Sequence, residues 1–178
     1  MKRILLAVVG LVLLVGCTPA QPTPTPLPEA PGWYSGPWNR EVAEMVGIYE
    51  AYFAAFTALE AAGGAEQLPD EFRKWLIDPA FSSCERYLSG LWSDGYQPDG
   101  ESSARTVQGT QMLDGFPHEA ELSLTTCEEY VDAFFIDGNG NTKGAKGPSF
   151  MEWKYYFRSN SEGSLRLFDT DAEWVQSC

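Results

Sequence analysis

The chain has 178 residues, 44% of them apolar and 13% aromatic, enough for the core of one domain and too many for wholesale disorder. Against 25 acidic residues stand 12 basic ones, a formal charge of −13; without a basic patch, nucleic acid is excluded as an expected partner. A single histidine argues against a multi-histidine metal centre, and no cofactor is expected.

The chain opens on Met1-Lys2-Arg3, followed by twelve residues, Ile4 to Val15, drawn only from Ile, Leu, Ala, Val and Gly. A spanning helix needs about 20 apolar residues, so this run fits the apolar region of an export signal. It ends Leu14-Val15-Gly16-Cys17. That sequence resembles the lipobox of bacterial lipoproteins. The resemblance implies a signal peptide over residues 1–16, diacylglyceryl transfer to Cys17, cleavage before it, and a domain anchored to the cell membrane on its extracytoplasmic side. Loss of Lys2 and Arg3 with the signal would take the formal charge from −13 to −15. An anionic membrane repels such a domain, so the acyl chains must supply the attachment.

Thr18 to Pro31 reads TPAQPTPTPLPEAP, six prolines in fourteen residues. It cannot pack a core and favours extended polyproline geometry, with a reach of roughly 40 Å. Residues 17–31 are thus an anchor and stalk, and residues 32–178 form a single folded domain.

Asn39, with Glu41 in the first turn, reads as the cap of a long helix. Val42, Met45, Val46, Tyr49, Tyr52, Phe53, Phe56 and Leu59 give it an apolar, aromatic stripe, and Gly63-Gly64 ends it. A short helix is predicted over Asp70–Ile77. A third opens on Asp78-Pro79, carries Phe81, Cys84, Leu88 and Leu91 on one face, and closes at Gly95. Beyond Gly100 the period changes to two. Strands are predicted over Arg105–Met112, Ala120–Thr125, Val131–Ile136, Phe150–Arg158 and Ser164–Phe168. Helices followed by strands joined through short turns predict an α+β fold with an antiparallel sheet.

Three cysteines remain after Cys17, and three thiols allow three single bridges. Cys84 sits on an apolar helix face and reads as a buried, inert thiol. His118 follows Phe116-Pro117 in a strand connection and reads as a loop residue. Asp137-Gly138-Asn139-Gly140-Asn141 has the look of a calcium loop, but its sixth and twelfth positions are Thr142 and Pro148 where glycine and glutamate are required. It reads as a hairpin turn.

The order of three helices and then a curved sheet, with Thr126-Cys127 at a strand end and Ser177-Cys178 closing the chain, resembles the nuclear transport factor 2-like fold as found in small lipoproteins of high-G+C Gram-positive bacteria. The resemblance spans residues 38–178. It implies a cone with a pocket between helices and sheet, and a Cys127–Cys178 bridge that pins the C-terminus. Tyr52, Phe56, Trp92, Trp153 and Tyr155 are the candidate pocket lining; the alternative is that they form the core. Tyr156 with Lys154 and Arg158 is the candidate surface if the domain is a homodimer rather than a monomer. The chain therefore reads as a non-enzymatic module for a small apolar ligand or an envelope protein. An interaction domain with a filled cone is the alternative. A further alternative is an isomerase, cyclase or dehydratase, for which Asp114 or Asp132 would have to line the pocket.

Overall fold

The computed structural model describes residues 31–101, 105–112, 120–144 and 149–177. The first helix, α1, spans Asn39–Ala61, and α2 spans Ala80–Asp94, with a 3-10 turn at Asp70–Lys74 between them. Six strands follow: β1 Gln97–Glu101, β2 Arg105–Met112, β3 Leu122–Ile136, β4 Thr142–Gly144, β5 Ser149–Ser159 and β6 Leu165–Val175. All pair antiparallel. The α+β class follows.

Local chemistry sets the helix ends, though not always as the sequence suggests. Asn39 lies inside α1 rather than capping it: no side chain caps that end at Trp38, and the Trp38 amide donates instead to the Tyr34 hydroxyl at 3.2 Å. At the other end Gly63 and Gly64 have φ of +85° and +90°, a region that L side chains avoid. Gly64 also lies close against α2, since a Cβ there would clash with the Leu88 carbonyl oxygen and the Trp92 amide. At α2 the sequence places the cap one residue early: the helix begins at Ala80 with Pro79 in the cap position and no side-chain cap, while Asp78, one residue before it, accepts from the Ser82 amide at 3.2 Å. By length and composition α1 is apolar enough to cross a membrane, but its buried residues Val42, Met45, Val46, Tyr49 and Tyr52 belong to the core of this domain. We read it as a core helix.

The sheet is organised on β3. Its first half lies between β2 and β5, its second half between β1 and β4. The sequence predicts two strands where the structure has this single fifteen-residue strand. The charged Glu128-Glu129 pair suggests a break, yet the backbone ladder runs through it to β5. Pairing also carries β6 to Val175, beyond the predicted end at Phe168, and recruits β1 and β4, which have no alternating apolar pattern. Register shifts in β1 and β2 against β3, and in β6 against β5, are bulges, which bend strands and raise their twist.

The helices cover one face of the sheet. Leu122, Leu124, Tyr155, Phe157, Leu165 and Leu167 point into one buried cluster with the helical stripe, Phe72, Leu76, Phe81, Leu88 and Leu91. The segment after the 3-10 turn ties the helices to the sheet edge: Leu167 donates to the Trp75 carbonyl at 2.8 Å, and Ile77 donates to the Leu167 carbonyl at 3.0 Å.

Candidate functional site

The two faces of the β5–β6 pair differ in chemistry. On the helix-facing side aromatic side chains pack against one another. The Tyr49 and Tyr155 rings meet at 5.0 Å, Tyr52 lies 5.7 Å from Phe56 and edge-on to Phe72 at 6.3 Å, and Trp153 stacks on Tyr155 at 6.1 Å. Of the five residues predicted to line a pocket, Tyr52 and Tyr155 are buried in this cluster, and Phe56 and Trp153 are half-buried against it. Trp92 departs from the prediction: it is 53% exposed near the end of α2. Its phase is close to that of buried Phe81 and Leu88, but it sits in the last turn of α2, which ends at Asp94.

Where this face meets solvent it becomes polar. Glu128, only 6% exposed, accepts from the Tyr130 hydroxyl at 2.7 Å and from Trp153 Nε1 at 3.1 Å. Tyr87 of α2 donates to Glu60 at the end of α1, and Tyr130 packs on Trp174 at 5.8 Å. Burial and then the Glu60 charge push the Tyr87 phenol well above its usual range. These groups link α1 to α2 and join β3, β5 and β6. Glu128 is absent from the candidates read in the sequence. Its signal was alternation: Leu122, Leu124 and Thr126 point inward, so a continuous β3 places Glu128 inward too. Thr126, fully buried in that row, carries a hydroxyl with no hydrogen-bond partner among the described residues.

The opposite face of β5 and β6 carries a groove of about 320 Å³ lined by Glu152, Lys154, Tyr156, Asp171, Ala172 and Glu173. Across the ladder Lys154 faces Asp171, and Glu152 faces Glu173. The Tyr156 hydroxyl donates to Asp171 Oδ2 at 3.2 Å, and burial followed by the Asp171 charge pushes its pKa up to about 12. With only 4% exposure, Tyr156 does not present itself for dimer contact as the sequence suggests. Arg158 instead stacks over Phe168, 3.5 Å from the ring centroid.

Cys84 is free and buried, and burial pushes its thiol up to about 12, which keeps it protonated and inert. Cys127 is disulfide-bonded, so Cys84 is not its partner. Cys17, Asp114, His118 and Cys178 lie outside the described residues, as does the side chain of Asp132. Asp137 accepts from the Asn139 and Asn141 amides at 2.9 and 2.8 Å, the hairpin-turn geometry expected, and these bonds, led by those from Asn141, hold its carboxyl below the usual range. No group of His, Cys, Asp and Glu among the described residues is arranged to hold a metal ion.

No family model matches the chain, and no curated protein matches it. Among solved structures it is similar to the intermembrane space region of the chloroplast protein ARC6, at 10% identity and a TM-score of 0.47, over 72% of this chain and 96% of that one. A likeness of that size carries neither fold nor function.

Proposed function

We propose that this chain is an envelope lipoprotein, anchored through Cys17, whose domain is an interaction module for a protein partner. The observation that carries the reading is the occupied interior. Met45, Leu88, Leu124 and Phe157 are fully buried and Tyr155 is 1% exposed, a packed core among the described residues of the kind a filled cone would have. This favours the filled-cone reading over the small-ligand one. The nuclear transport factor 2-like cone and the Cys127–Cys178 bridge belong to the same proposal. Helices on one face of a bulged antiparallel sheet support the first, and a disulfide at Cys127 that does not use Cys84 supports the second. The small-ligand reading keeps one support, the core hydroxyl of Thr126, which has no hydrogen-bond partner among the described residues.

The test is native mass spectrometry of the full chain, exported from a bacterial host and kept in detergent without reductant. A chain beginning at Cys17 with added acyl mass, one bridge and no releasable small molecule is the expected result. An unmodified Cys17 overturns the anchor, and a small molecule released only on denaturation overturns the filled interior.

A further inference from the structure

The second edge of β6 is one of the places where the fold, among the described residues, leaves backbone unpaired; β1, β2 and β4, each paired only with β3, have such edges too. Leu167 uses its outward N–H on the Trp75 carbonyl and its outward C=O on the Ile77 amide. In an antiparallel ladder the outward positions alternate, and the pairing of Phe157 with Leu167 and of Tyr155 with Thr170 around the bulge makes Thr170, Ala172 and Trp174 the next outward residues. The Thr170 amide is already taken by the Asp169 carboxylate at 2.9 Å. Beyond it, among the described residues, no backbone hydrogen bond leaves this edge of β6.

The side chains along that edge sort by face. Asp169, Asp171 and Glu173 lie on the side of the groove, and Ala172 and Trp174 lie on the other, where Trp174 is 61% exposed. The groove sets Lys154 against Glu152, Asp171 and Glu173. Within it Glu152 and Glu173 stand directly opposite each other, an arrangement that costs stability in a sheet and that a cation would relieve. We propose that the Thr170–Trp174 edge of β6 is a docking strand for an extended segment of a partner protein in which Lys or Arg alternates with apolar residues. The segment adds to the sheet through its backbone. Its basic side chains lie over Asp171, Glu173 and the groove, and its apolar side chains lie beside Ala172 and Trp174. A second copy of this chain is disfavoured as the occupant, because its own Asp171 and Glu173 would meet these. The proposal rests on the interaction-module reading and names the surface and the chemistry of its partner.

The probe is the peptide acetyl-Lys-Val-Lys-Thr-Lys-Val-Lys-amide, titrated into the full chain in detergent, with a glutamate-for-lysine version as control. Saturation should slow amide exchange at Ala172 and Trp174, and raising the salt should weaken binding. Glu173→Lys should weaken it about tenfold or more by replacing attraction with repulsion. Ala172→Pro removes an outward donor while leaving the β5 ladder intact, and should abolish the protection. Should that variant not fold, N-methylation of alternate peptide residues removes the same bonds from the other side. Four results overturn the proposal: no binding at millimolar peptide, equal binding of the glutamate version, unchanged affinity in Glu173→Lys, or a concentration-dependent homodimer protected at these amides. None of these touches the interaction-module reading, which stands or falls on the mass measurement.

Discussion

The two faces of the β5–β6 pair are made by the same eleven-residue strands and do opposite things. Toward the helices, Tyr155, Phe157, Leu165 and Leu167 are buried in one apolar cluster. Away from them, Glu152, Lys154, Asp171 and Glu173 line an open groove. Period-two alternation produces both faces from one stretch of sequence. The lesson lies in how the cost of substitution should divide. The inner face stabilises the domain and tolerates little change. The outer face carries charge that the fold does not need.

The largest effect should come from the inner face. Phe157 is fully buried, and its truncation removes a ring from a filled interior, so Phe157→Ala should destabilise by about 3–5 kcal/mol. Urea unfolding would show it as a fall in midpoint with little change in slope. A loss below about 1 kcal/mol would mean that the interior is loosely packed, and would restore the small-ligand reading. Next comes the seam between the helices. Gly64→Ala meets the Leu88 carbonyl oxygen and a φ of +90° together, and should cost about 2–4 kcal/mol; Gly95→Ala, with a positive φ but open space around it, should cost less.

How much of this contrast the sequence reveals differs between the two faces. The inner face is legible, because a burial stripe leaves a period: the α1 stripe, the Gly63-Gly64 stop and the alternation in β5 all correspond to the structure. What escapes is set by partners distant in sequence. The continuity of β3 depends on β5 pairing through Glu128 and Glu129, which no local pattern announces. The brace around Glu128 joins residues from β3 and β5, and Tyr87 meets Glu60 across twenty-seven positions. Trp92 shows the reverse error: a large aromatic suggests a pocket by its type, whereas in the last turn of α2 it is 53% exposed.

Cys127 tests the outer face, because its position opposite Glu152 places it there, and it is nevertheless 1% exposed. Breaking its bridge by Cys127→Ser should cost about 2–4 kcal/mol, read as a lower thermal midpoint under non-reducing conditions. If Cys178 is the partner, Cys178→Ser should reproduce that loss, and the double variant should add nothing further. Additive losses would reject the pairing. Thr126→Val runs the other way on the inner face. It replaces a buried hydroxyl that lacks a described partner by a methyl group, and should stabilise by about 1 kcal/mol. A loss of stability would show that the hydroxyl has a partner after all.

The smallest effect is expected where the outer face is most crowded with like charge. Glu173→Gln keeps the shape of the side chain and removes one of the two carboxylates that face each other across β5 and β6. A directly opposed like pair costs a few tenths of a kcal/mol, and solvent and salt screen it at an exposed position. The variant should therefore gain about 0.2–0.5 kcal/mol at low ionic strength and nothing measurable at high salt. The sign matters more than the size. A gain that fades with salt shows that the domain keeps Glu173 at a cost to its own stability, as a residue kept for binding would be. A loss that persists in salt would assign Glu173 to the fold, and would erase the division of labour between the two faces.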